Sequence, residues 1–128
     1  MTPEPGWGFT DAWLLLSIGD HGRRGCTLSR MLGSADARAH DIPTEEAASR
    51  TLGRLEASGL ISSSRGKYSV TKAGRQIRKR RSGRFFEEAT SLLPILAQVP
   101  CQDDEHQFEP GEFLAAYEAY ARRMRSWT

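Results

Sequence analysis

Between Leu52 and Gly74 the chain reads LGRLEASGLISSSRGKYSVTKAG, an order of local signals that few tertiary arrangements can satisfy. Leu52 and Leu55 share one face of a helix with Ala48 a turn earlier, and Gly59 is placed to stop that helix by taking positive φ at C′. Leu60 and Ile61 then start a strand. Ser62 to Lys67, with Gly66 inside a polar run, reads as a hairpin connection, and Tyr68-Ser69-Val70 alternates as a half-buried return strand does. Thr71 is positioned to N-cap a further helix.

The rest of the first two thirds is helical by periodicity. Thr10 or Asp11 opens a first helix whose dense apolar positions, Ala12, Trp13, Leu15, Leu16 and Ile18, mark it as buried, with an end near Gly19 or Gly22. Thr27 caps a second helix with Leu28, Met31 and Leu32 on one face, running past an unfavourable Gly33 toward Arg38. Ile42 is a core plug in the turn before Pro43. Thr44 caps a third helix, Glu45 to Ser58, whose first turn carries two carboxylates as the helix dipole favours.

On Leu52, Leu55, Gly59, Leu60, Ile61, the Gly66 turn, Tyr68, Val70, Thr71 and Gly74, the chain resembles the winged helix-turn-helix domains of small bacterial transcription regulators, the MarR- and PadR-like groups. These residues determine fold more than activity. The resemblance covers residues 9–81 and implies a mainly α fold with a small β-hairpin, followed over residues 82–128 by a helical extension for dimerisation or docking. It also places the third helix in the recognition position.

The net charge of +2 conceals a strong partition. Residues 1–64 hold 6 Lys/Arg and 8 Asp/Glu, residues 65–84 hold 9 and 0, and residues 85–128 hold 3 and 8. Half of the basic side chains therefore sit in one short segment, beginning at the hairpin turn. Arg65 and Lys67 flank the turn glycine, and Lys72, Arg75, Arg78 and Lys79 continue the charge along the fourth helix, which is expected to run on through the basic segment. Such a row of cations suits phosphates, whose neutralisation releases counterions without reading sequence. On the third helix the face opposite Ala48, Leu52 and Leu55 shows Ser49, Arg50, Gly53 and Arg54. Arg50 or Arg54 can take guanine bidentately, Ser49 can meet a phosphate or base, and Gly53 permits close backbone approach.

Beyond the basic segment, Phe85, Phe86, Ala89, Leu92, Leu93 and Leu96 recur at helical spacing, with a break expected near Leu93 because Pro94 cannot donate within a helix. Residues 98–110, with two prolines and the acidic Asp103-Asp104-Glu105, read as a solvated linker. Phe113, Tyr117, Tyr120, Met124 and Trp127 form a heptad-type seam that must dock on something, and a homodimer interface is the expectation. A small-molecule effector has room in that scheme.

Other classes find little here. Cys101, Asp103, Asp104, Glu105 and His106 cluster in sequence, but no second Cys/His pair stands at zinc spacing, and no metal or cofactor is expected. No Walker loop, G-x-S-x-G or H-E-x-x-H occurs, so no enzyme is expected. Without a basic-then-apolar leader or a long apolar run, the expected compartment is the cytoplasm, with both cysteines as thiols. The sequence reading is thus a dimeric binder of double-stranded DNA that regulates transcription. It leaves two alternatives: a protein-interaction module of the same fold, and a non-specific nucleic-acid binder relying on residues 65–84.

Overall fold

The structure is a computed structural model that describes residues 6–84 and 86–126. Among the described residues it holds six α-helices and a three-stranded antiparallel sheet. In chain order these are α1 (Phe9–Gly19), β1 (Cys26–Thr27), α2 (Leu28–Ala39), α3 (Glu45–Ala57), β2 (Ile61–Ser64), β3 (Lys67–Val70), α4 (Lys72–Arg78), α5 (Phe86–Leu96) and α6 (Glu112–Arg125). The sheet order is β1-β3-β2, with Cys26 opposite Tyr68 and Ile61 opposite Val70. No helix among the described residues is long and apolar enough to cross a membrane.

Every residue of α1 from Asp11 to Ile18 is buried. The helix lies in the middle of the molecule, against α2, α3, α4, α5 and β3. Trp13 donates its indole N–H to the carbonyl of Ala35, 2.9 Å away, which fixes α2 across it. The caps expected at Thr27, Thr44 and Thr71 form, each hydroxyl accepting from the backbone N–H three residues on. Thr71 also donates to the carbonyl of Gly59 at 2.6 Å, so one side chain ties the end of α3 to the start of α4. Gly74 completes that junction, since a Cβ there would sit 2.2 Å from the carbonyl oxygen of Leu60. Gly33, inside α2, lies under the ring of Tyr120, from which a Cβ there would stand 3.4 Å away, at contact distance.

Three elements differ from the sequence expectation. β1 was hidden because two residues carry no periodicity; it exists through its pairing with β3. The basic segment is not one helix. α4 stops at Arg78, and Gly83, at φ 87°, precedes α5, whose Ser91 hydroxyl accepts from the N–H of Ser82 at 2.9 Å. The break near Leu93 is absent, and α5 runs through Pro94 to Leu96. Pro94 is exposed and two residues from the helix end, so its missing donor frees only a carbonyl of the outer turn. Leu92 and Leu96, both 0% exposed, hold the helix on the core. Ile42 is only partly buried, while its neighbour Pro43 is buried.

Cys26 lies within the core, and burial followed by the nearby Asp20 carboxylate pushes its thiol from 9.0 up to about 12. Burial also raises the half-buried Cys101. The folded state holds the Cys26 proton more tightly, so this contribution to stability is full below pH 9.0 and is lost as pH climbs toward about 12. In a thiol titration at about pH 8, Cys26 is expected to react only on unfolding while Cys101 reacts slowly in the native protein. Modification of both at equal rates in the folded state counts against this packing.

Candidate nucleic-acid interface

The hairpin is an exposed cationic feature. β2 and β3 pair from Ile61–Val70 to Ser64–Lys67, leaving Arg65-Gly66 as a two-residue loop. Both loop residues have positive φ, 53° and 75°, the pattern of a type I′ turn, whose twist matches the strands. Gly66 takes that conformation freely. Arg65 does so against steric cost, in a position where Asn or Asp is the easier choice. A strained arginine is thus held at the tip, beside exposed Lys67, and Lys72 is exposed at the start of α4.

The sequence shows no carboxylate from Arg65 to Arg84, yet the fold brings some in from a distance. Asp20 at the end of α1 accepts from Arg78 at 2.7 Å and binds Arg38 on its other oxygen. Glu88 accepts from Arg81 at 3.1 Å. Arg75 donates to the carbonyl of Val70 at 2.9 Å. Burial first, then the neighbouring Arg81, makes Arg78 less basic, the mark of a guanidinium crowded among cations. Arg75 and Arg78, expected to contact phosphates, are each half-buried and engaged within the chain. Lys79 remains exposed, as do Arg80 and Arg84.

The outward face of α3 is occupied. Residues 101–108, expected as a solvated linker, lie across it as a strap. The Ser49 hydroxyl donates to the carbonyl of His106 at 2.7 Å, and the His106 N–H donates to the carbonyl of Ser49 at 2.9 Å. Arg54 donates to Asp103 at 2.8 Å and faces buried Asp11 at 3.5 Å; the Asp103 hydrogen bond leads in raising its basicity. A Cβ at Gly53 would lie 2.2 Å from the carbonyl oxygen of Asp104. The close approach read from Gly53 is real, but its occupant is the chain's own backbone. Ser49 and Arg54, expected to contact DNA, are held by the strap in this conformation. Arg50 stays exposed on the same face.

Sequence reasoning missed His106. Its Nε2 is 2.9 Å from the Tyr68 hydroxyl, and its ring meets Tyr68 and Phe108 edge-on at 5.4 and 5.0 Å. His106-x-Phe108 is an alternation that an extended, docked segment shows, and it was the available signal.

The seam of α6 divides. Tyr120 is buried against α2, its hydroxyl donating to Asp36, and Phe113 packs on the core beside Phe108. Both are used within the chain, Tyr120 as a buried side chain and Phe113 as a partly buried one. Tyr117 and Met124 stay exposed with Leu114, and Trp127 lies outside the described residues. Comparison with protein-family models, with curated proteins and with solved structures finds no match.

Proposed function

We propose that this chain is a winged helix-turn-helix protein that binds double-stranded DNA and regulates transcription, with the β2–β3 hairpin as the wing. The observation that carries the reading is the hairpin tip, where Arg65 is kept at positive φ in the exposed turn between β2 and β3, next to exposed Lys67. Backbone strain of this kind, costing about 1 kcal/mol or more, is retained where a side chain has to stand in one place. The order of α1, β1, α2, α3, β2 and β3 supports the fold, and exposed Lys72 extends the cationic edge.

Binding through Arg65, Lys67 and Lys72 is a backbone mode. A labelled random duplex titrated over a salt series is expected to give a slope of log affinity against log salt of about −3, near −0.9 for each neutralised phosphate. Enrichment of a sequence motif from a random pool speaks for regulation, with Arg50 as the exposed base-reading candidate. A protein that binds no duplex at low salt is not a DNA-binding protein, and the cationic hairpin then serves an acidic protein partner.

A further inference from the structure

We infer that the acidic strap, residues 101–108, is a removable occupant of the DNA-reading face of α3, which a duplex must displace before Ser49 and Arg54 can reach it. The inference rests on the DNA-binding reading above and adds a control to that site.

The strap satisfies on α3 the groups that a duplex would satisfy. Asp103 holds the Arg54 guanidinium as a phosphate would, the His106 carbonyl accepts from Ser49, and the Asp104 backbone fills the gap over Gly53. Asp103, Asp104 and Glu105 are all exposed along this path, so they present negative charge where a phosphate backbone would approach. Strap and duplex cannot share the face, and each carboxylate repels the incoming phosphates.

The strap is also built to lift. From Gln102 to Glu105 no side chain is buried, and the hold on α3 is polar: Gln102 N–H to the Ser58 hydroxyl at 2.9 Å, Arg54 to Asp103, the reciprocal Ser49–His106 pair, and the His106 ring 3.9 Å from the Glu56 carboxylate. The apolar anchors lie at its two ends, Val99 before it and Phe108 after it. Polar bonds broken in the middle are replaced by water, whereas the ends stay on the core. A segment fixed at both ends and polar between them opens at low cost.

Gly53→Ala tests this directly. Alanine favours the helix by about 1 kcal/mol over glycine, so α3 is not weakened, while its Cβ collides with the Asp104 carbonyl and expels the strap. The expected result is faster amide exchange at His106, duplex binding tighter by about tenfold at about 0.1 M salt, and a salt slope steeper by about 1 as Arg54 becomes available. Asp103→Asn combined with His106→Ala removes the Arg54 and Tyr68 anchors and is expected to act in the same direction. Faster exchange with unchanged or weaker binding in both variants overturns the mask and leaves the hairpin reading standing. A strap that neither variant releases also overturns it. If neither the natural protein nor any variant binds duplex, the DNA reading itself has failed.

Discussion

Asp11→Ala is expected to lower the free energy of unfolding by about 3 kcal/mol, measured by urea denaturation of the otherwise unaltered chain. Asp11 is 2% exposed and receives three groups. The N–H of Gly8 donates to it at 2.8 Å, closing the first turn of α1; the buried Thr51 hydroxyl donates at 2.8 Å from α3; and Arg54 stands 3.5 Å away. Alanine leaves a buried hydroxyl without its acceptor and removes one of two carboxylates from Arg54, and each loss costs on the order of 1–3 kcal/mol. Asp11→Asn keeps an acceptor and is expected to recover part of the loss. A change below about 1 kcal/mol for alanine shows that the α1–α3 junction is held by its leucines alone.

The double substitution Arg65→Ala, Lys67→Ala is expected to weaken duplex binding by tenfold or more at about 0.1 M salt and to reduce the salt slope by about 2. Both side chains are exposed, so the fold is not their debtor. Arg65→Gly separates the two roles. Glycine adopts the positive φ of 53° without strain, so stability is expected to rise by about 1 kcal/mol while binding falls. If binding survives the double substitution intact, the hairpin is not the grip, and the proposed interface is wrong at its most specific point.

The parts of the fold legible in the sequence are those whose signal is local. Threonine caps at Thr27, Thr44 and Thr71, the buried first helix and the Gly66 hairpin all follow from spacing over a few residues, and all are present. Where the expectation failed, a distant partner decided. Pro94 is tolerated because Leu92 and Leu96 have a core to bind, and the basic helix ends early because α5 packs back beside it. Tyr120 turns inward because α2 offers Asp36 and the space over Gly33, and Phe113 because Phe108 comes back to meet it.

The candidate interface divides in the same way. The sequence by itself determined the cationic hairpin: Arg65, Gly66 and Lys67 fall in the polar connection read over Ser62 to Lys67, and a connection between strands runs over the surface; the structure narrows the turn to Arg65-Gly66. The tertiary structure alone decided which cations are free and which face of α3 is open. Ion pairs such as Arg78 with Asp20 and Arg54 with Asp103 join residues far apart in the chain, and nothing in local spacing encodes such a distance. Periodicity says which side of a helix faces away from its own core; it is silent on whether another part of the chain comes back to cover it.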